Sequence, residues 1–376
     1  MNKYKLGDVV KVISERVDNP ANCEYDKFVG LEHYVSGEIE IKNYGNTSLL
    51  KSAMKAFKSG DILIARRNVY LKRASIVKFD GITSGDSIVL RVEDKLLRRI
   101  IPFVLNTDEF WGYAEKFSDG TMSKRLSPKV LLEYEFVLPQ IAQQEKLADL
   151  LWAANNTKEA YKKLLYLTDE LVKSQYIEMF GNPETNEKGW GKRPLSDTCD
   201  IITGNTPPRA NAAYYGNFIE WIKSDNITQQ RATLSMAAEY LSEEGAKVGR
   251  VVSSGSILMT CIAGGLNSIG NIAIVDRDIA FNQQINALVP KSYETWFLYY
   301  MLRMMRSSIH EATNKALKCI LSKGQLSNVE AIVPPEHQQK QFALFAEQAD
   351  KSKFKLEQSI VNIEKTIKTL MSKNFG

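Results

Sequence analysis

This chain of 376 residues is poor in the residues that build metal centres and disulfide frameworks. Its four cysteines, Cys23, Cys199, Cys261 and Cys319, are scattered without a Cys-x-x-Cys pair, and it has three histidines. A zinc ribbon and a disulfide scaffold are therefore not expected, and free, buried thiols in a cytoplasmic protein are. No run approaches the roughly 18 apolar residues of a membrane span. The opening Met1-Asn2-Lys3-Tyr4-Lys5-Leu6-Gly7-Asp8 lacks the apolar stretch of a signal peptide. No Gly-x-x-x-x-Gly-Lys-Ser/Thr loop occurs, so ATP hydrolysis is not expected of the chain itself. Asn205-Thr206-Pro207-Pro208 misses the Asn/Asp-Pro-Pro-aromatic pattern of amino-methyltransferases, with Thr206 before the prolines and Arg209 after them. Asp86 with Glu93-Asp94-Lys95 loosely matches the acid-then-Glu-x-Lys pattern of metal-dependent nucleases. In a chain one quarter charged such triplets arise by chance, and no second feature supports this one. No Ser-His-Asp or Cys-His arrangement can be picked out. The expectation is a chain with no catalytic residue and no metal ligand of its own.

What is present is repetition. Val137-Leu138-Pro139 followed by Gln143-Gln144 recurs as Ile332-Val333-Pro334 followed by Gln338-Gln339, 195 residues on. The same offset carries Phe180-Gly181 onto Phe375-Gly376, and Ser59-Gly60-Asp61-Ile62-Leu63 onto Ser254-Gly255-Ser256-Ile257-Leu258. A period this long is no solenoid, whose repeats run about 20–50 residues. It implies two copies of a domain plus a long helix, and hence a pseudo-twofold molecule suited to a bipartite target.

From Gln140 to Phe180, and again from Glu336 to Phe375, there is no proline or glycine. At about 1.5 Å per residue each stretch makes a rod of roughly 55–60 Å. Pro139 and Pro334-Pro335 stand at the first turn, where a missing N–H is harmless, and Phe180-Gly181-Asn182-Pro183 is a stop signal. Apolar residues recur as heptad lines. In the first rod these are Leu147, Ala154, Tyr161, Thr168 beside Leu151, Lys158, Leu165, Val172, Met179. In the second they are Phe342, Ala349, Leu356, Ile363, Leu370 beside Ala346, Lys353, Ile360, Ile367. Lys158 and Lys353 interrupt the two seams at the same point, and read as chance surface lysines rather than a registry device. Two arrangements suit the seams: each helix packed on its own domain, or the two packed on each other, antiparallel, as a coiled-coil spacer. The second is favoured, because neither domain needs so long a rod for its own core.

Each rod follows a segment with short β-rich runs, such as Asp61-Ile62-Leu63-Ile64 and Ser256-Ile257-Leu258-Met259, and one helical stretch, clearest from Trp296 to Ile309. The class is α+β: two α/β domains joined by two long antiparallel helices. The divisions fall at 1–138, 139–181, 182–333 and 334–376. The two frameworks agree and their loops differ. Arg66-Arg67-Asn68-Val69-Tyr70-Leu71-Lys72-Arg73 packs four cations and a tyrosine into eight residues, whereas Cys261-Ile262-Ala263-Gly264-Gly265-Leu266-Asn267 has no cation. A net charge of +5 permits nucleic-acid binding without demanding it. Arginine can bond bidentately to guanine, Asn and Gln to adenine, and lysine to phosphate. On that basis Arg66, Arg67, Asn68, Tyr70, Lys72, Arg73, Lys124 and Arg125 are candidate DNA contacts of the first segment. Asn205, Thr206, Arg209, Lys223, Asn226, Asn282, Gln283, Gln284, Lys315, Lys318 and Lys323 are those of the second. A solvated loop is the other reading of residues 66–73, and satisfaction of backbone groups in a turn is the other reading of Asn282-Gln283-Gln284.

The ordered set resembles the specificity subunit of type I restriction–modification systems. In the first half the likeness rests on Phe28-Val29-Gly30-Leu31-Glu32-His33, on Gly60-Asp61-Ile62-Leu63 through Arg67 to Tyr70-Leu71, and on Gly81-Ile82-Thr83-Ser84-Gly85-Asp86. In the second it rests on Thr203-Gly204-Asn205-Thr206-Pro207, Gly270-Asn271-Ile272-Ala273-Ile274 and Phe281-Asn282-Gln283-Gln284, with both Pro-then-Gln-Gln helix starts. The resemblance covers nearly the whole chain and implies two target recognition domains, each reading half of a split double-stranded DNA sequence. It implies helices that space them and dock two methyltransferase (modification) subunits. S-adenosylmethionine, ATP and Mg would sit on those partners and on restriction/translocase subunits, with no cofactor in this chain. One departure stands out: the loop after Met259 lacks the arginine of its counterpart, so the second domain must take cations from elsewhere. Two readings compete with this one. A stand-alone DNA nuclease lacks its motifs, and a scaffold without a DNA role leaves the paired α+β domains unexplained.

Overall fold

The computed structural model describes residues 2–121, 123–228, 231–315 and 318–375; Gly376 of the repeated Phe-Gly pair lies outside them. The chain divides into two compact units, Met1–Lys163 with Glu357–Gly376, and Leu164–Leu356.

Each unit is built around a four-stranded antiparallel sheet of the same topology. In the first unit the order is Lys11–Ile13, Ser87–Arg91, Ile62–Ala65, Ala74–Ile76. In the second it is Cys199–Thr203, Ile285–Pro290, Ile257–Thr260, Ile272–Ile274. The central strands read as unbroken apolar runs because both faces are covered. Ile62, Ile64, Ile88 and Leu90 point into a core shared with the helix Lys95–Val104, while Leu63, Ala65 and Val89 point into another with Val29 and Phe57. The second unit repeats this division, Ile257 and Met259 on one side and Leu258 and Ala287 on the other. Gly60 and Gly255 enter the two central strands with φ of 91° and 92°, a conformation that disfavours any side chain. The helical stretch foreseen from Trp296 is two helices, Thr295–Met304 and Arg306–Glu311.

A second sheet accompanies each core, and here the units part. Five strands, Arg16–Val17, Met54–Phe57, Gly81–Thr83, Lys27–Val29 and Gly45–Asn46, form it in the first unit. Four, Tyr240–Leu241, Tyr215–Ile222, Ile279–Phe281 and Val251–Val252, form it in the second. Both sheets retain one parallel pairing.

The long helices run Ile141–Phe180 and Glu336–Phe375, 40 residues each. The Gln-Gln signature has a mechanical role at their starts. Gln144 Nε2 donates to the Pro139 carbonyl at 3.0 Å and Gln339 Nε2 to that of Pro334 at 2.8 Å, both side chains buried. Each amide reaches back to the chain that enters the helix. Gly181, at φ 74°, terminates the first helix by donating its N–H to Ile177.

Within the first unit Leu147, Ala148 and Leu151 share a core with Ile367, Met371 and Phe375. Within the second, Val172, Tyr176 and Phe180 share one with Phe342 and Ala346. In both units, then, part of one long helix packs in a core with part of the other. Ile360 is buried, and Tyr161, Leu165, Leu356 and Ile363 are half-buried. The seam lysines are not surface accidents. Lys158, 4 % exposed, pairs with Glu38 at 3.4 Å, and Lys353 pairs with Asp169 at 3.1 Å. Such cations are retained inside a seam only because carboxylates meet them there. All four cysteines are free, and burial pushes the Cys199 and Cys261 thiols up to about 12, which leaves them inert. Among the described residues no helix is long and apolar enough to cross a membrane.

Candidate nucleic-acid interface

In the first unit the strand Ile62–Ala65 delivers the chain to residues 66–73, which return it as the strand Ala74–Ile76. The connection is folded, not a solvated excursion. Asn68 and Lys72 adopt left-handed φ of 54° and 48° at the ends of a single 3-10 turn, Val69–Leu71. Arg73 fastens it from below, donating through Nη1 to the Leu31 carbonyl and through Nη2 to that of Arg67, both at 3.0 Å. Ser123 donates to the Asn68 side chain at 3.0 Å, and Lys72 pairs with Asp108 at 2.7 Å.

Residues 66–73 then meet residues 119–126. Arg67 and Arg125 form an antiparallel bridge, Asp119 and Arg125 form another, and Leu126 N donates to the Arg66 carbonyl at 2.9 Å. Asp86 closes the group, lying 2.8 Å from Arg125 and 3.4 Å from Arg67. Both guanidinium groups stay about half-exposed beside the Asp86 carboxylate. Lys124 instead gives its ammonium to the Glu115 carbonyl at 2.7 Å. Tyr70 is 58 % exposed. Lys55, which no sequence pattern marks, donates to the Ser87 carbonyl at 2.5 Å; burial lowers its pKa and the charge of Arg66 lowers it further.

The second unit contains the same ladder. Ile262 pairs with Ile320, Asn314 with Ile320, and Leu321 N donates to the Cys261 carbonyl at 2.8 Å. Every one of these positions stands 195 residues after its counterpart in the first unit. The framework thus presents an arginine pair in one unit and an isoleucine pair in the other. Ile262 and Ile320 were missed as candidates, yet adding the repeat offset to Arg67 and Arg125 finds both. Lys315 lies in the same small sheet and is exposed, as are Lys318 and Lys323; none has an ion pair among the described residues.

The remaining candidates divide into two groups. Arg209 and Lys223 converge on Glu239, Arg209 at 2.8 Å and Lys223 in close contact. The Arg209 guanidinium lies 4.6 Å from the Tyr215 ring centre and 4.9 Å from that of Trp221, with the Lys223 ammonium 5.2 Å from the latter. The hydrogen bond from Lys223, with Arg209 beside it, holds the Glu239 carboxyl below the usual range. The amides, by contrast, are mostly engaged internally. Asn205 donates to Val248 O and accepts from Arg250 N, and Asn226 accepts from Lys223 N and donates to Met236 O. Asn282 is buried and bonded to Gln284, so the turn-satisfying reading describes this pair; Gln283 is exposed and accepts from Thr206.

The nuclease-like triplet has other occupations. Asp86 holds the two arginines, Glu93 pairs with Lys11 at 2.6 Å, and Asp94 caps the helix that Lys95 begins. Residues 187–365 match the family of the type I restriction modification DNA specificity domain. The match spans just under half of the chain.

Two curated relatives are similar in part. The HindI specificity subunit of a type I restriction enzyme from Haemophilus influenzae is 28% identical over 153 residues, 39% of this chain and 32% of its own length. The MjaIX specificity subunit from Methanocaldococcus jannaschii is 26% identical over 160 residues, 41% and 36% of the two chains. This chain therefore spans about a third of the length of the curated relatives it matches. In fold, the S subunit of a type I restriction–modification system from M. genitalium is similar over 100% of this chain and 96% of that one, with a TM-score of 0.64 at 14% identity. A chain from a type I restriction–modification assembly gives 0.53 at 19% identity, covering 99% and 96%.

Proposed function

We propose that the chain is the sequence-specific DNA recognition subunit of a type I restriction–modification complex. One observation carries the reading: a single backbone ladder, repeated at a fixed offset, offers arginines in one unit and isoleucines beside exposed lysines in the other. Guanine edges and phosphates suit the first chemistry, and thymine methyl groups and phosphates suit the second. The family match over residues 187–365 and the shared fold support the same reading. Each unit reads one half of a bipartite duplex, and the long helices set the spacing and dock two modification subunits. Those partners bring S-adenosylmethionine and methylate adenine; restriction subunits bring ATP- and Mg-dependent translocation and cleavage in the cytoplasm. This chain performs no chemical step.

The test is an exchange. Replacing residues 190–332 by those of a relative, in cells that carry the modification subunit, changes one half of the methylated sequence and leaves the other. A change in both halves, or in neither, refutes the assignment of one reader to each unit. Methylation by the purified chain without its partner refutes the non-catalytic role.

A further inference from the structure

The candidate cations on both units are held in the same way. Asp86 lies between Arg67 and Arg125, and Glu239 lies between Arg209 and Lys223, so each unit sets one carboxylate against two cations. The four residues around Asp86 and Glu239 come from different places in the fold, and the repeat offset does not relate the two carboxylates. The two arrangements are therefore not equivalent positions of the repeat. We propose that Asp86 and Glu239 are positioning residues that set sequence discrimination, an inference that rests on the DNA-reading function above.

The physical argument has two parts. A guanidinium carries five N–H donors in a rigid fork, and one contact with a carboxylate leaves the others for a base edge while removing the freedom of a long side chain. Arg67 uses Nη1 and Arg125 uses Nη2 toward Asp86, so the single carboxylate fixes two forks at once. Arg209 is likewise fixed, between Glu239 and the rings of Tyr215 and Trp221. The second part is repulsion. A phosphate that draws on these cations without a matching base must approach the carboxylate, and like charges disfavour that approach. Non-specific binding, which is carried by phosphate contacts, is weakened more than binding that ends in a base contact. Asp86 suits this role because its side chain is 28 % exposed, and so close enough to the surface to act on a ligand.

The experiment uses the full chain with a random duplex pool and with the duplex that the wild-type chain selects from that pool. Asp86→Asn is expected to tighten binding to random duplex by about three- to tenfold at low salt, and to steepen the log–log salt dependence by about one unit. The ratio of selected to random affinity should fall, with base preference lost in one half-site only. Glu239→Gln should do the same for the other half-site, and Asp86→Glu should restore most of the discrimination. An Asp86→Asn chain with unchanged salt slope and unchanged ratio overturns the clamp while leaving the DNA-reading function standing. A wild-type chain that selects no sequence overturns that function, and the clamp with it.

Discussion

Replacing Asp169 with asparagine removes one negative charge and almost no volume. In the second unit this carboxylate lies 3.2 Å from Arg303, 3.1 Å from Lys353 and 3.0 Å from Lys173. Asp169, Arg303 and Lys353 keep 19, 25 and 14 % of their side-chain surface, so two of the three pairs are largely withdrawn from solvent. Lys173 keeps 37 % and is discounted as a surface pair of at most about 1 kcal/mol. Breaking a buried pair leaves charges uncompensated, at a cost of about 3–5 kcal/mol; partial exposure places this case near the lower end. With a urea m-value of about 2 kcal/mol/M for a unit of this size, about 3 kcal/mol lowers its midpoint by about 1.5 M. Hydrogen exchange of the helix Thr295–Met304 follows this unit without interference from the other. The pH dependence supplies a sign. Burial alone would raise the Asp169 pKa, but Arg303, Lys173 and Lys353 together hold it far below the ordinary range. The folded value is below the unfolded one, so the contribution is fully present above about pH 4 and is lost as the pH falls toward the folded value. The gap between wild type and Asp169→Asn should be constant above about pH 5 and close below about pH 4. A midpoint shift under about 0.3 M, or a gap that widens in acid, refutes the reasoning.

Arg125→Ala should weaken DNA binding by about 1–3 kcal/mol if the side chain reads a base, with preference lost at one position, whereas Lys124→Ala, whose ammonium is tied to Glu115, should leave base preference unchanged; equilibrium titration of selected and altered duplexes decides. Gln339→Ala should cost about 1–2 kcal/mol by leaving the Pro334 carbonyl and the Glu294 N–H without their partner, measured by chemical unfolding; a neutral result would make the Gln-Gln signature a matter of docking rather than of helix entry. Inserting about four residues near Thr168 lengthens the first long helix by roughly 5–6 Å, and the gap between methylated half-sites should grow by one or two base pairs if that helix is the ruler. Methylation that persists with the gap unchanged would remove the ruler.

Legibility in the sequence followed the kind of interaction. The helices, their starts and stops and the central strands were readable because apolar period and proline or glycine positions act locally, as at Pro139 and Gly181. The internal repeat was readable because the interval from Pro139 to Pro334 carries no insertion across the long helices. What escaped reading is decided by pairing across the fold. Lys158 and Lys353 looked like surface residues, since nothing near them in sequence announces Glu38 or Asp169. Asp86 stood out in the sequence only through a chance nuclease-like triplet, and its partners Arg67 and Arg125 stand 19 and 39 positions away. Asn205, Asn226 and Asn282 were attractive as base readers by residue type, but polar backbone groups in tight turns claim their amides first. The second sheet of each unit was not legible at all, because its strands are two to eight residues long and the two versions differ in strand number.

The bridge between Arg67 and Arg125, and its counterpart between Ile262 and Ile320, is held by main-chain bonds that make no demand on the side chains they carry. A position of this kind is a socket: its geometry is inherited, and its chemistry is free to vary. Charged and aliphatic pairs already occupy the two sockets of one molecule, so the same backbone tolerates both extremes of polarity. Such a protein can acquire a new address by changing a few solvent-facing letters, without renegotiating the stability of the domain that displays them.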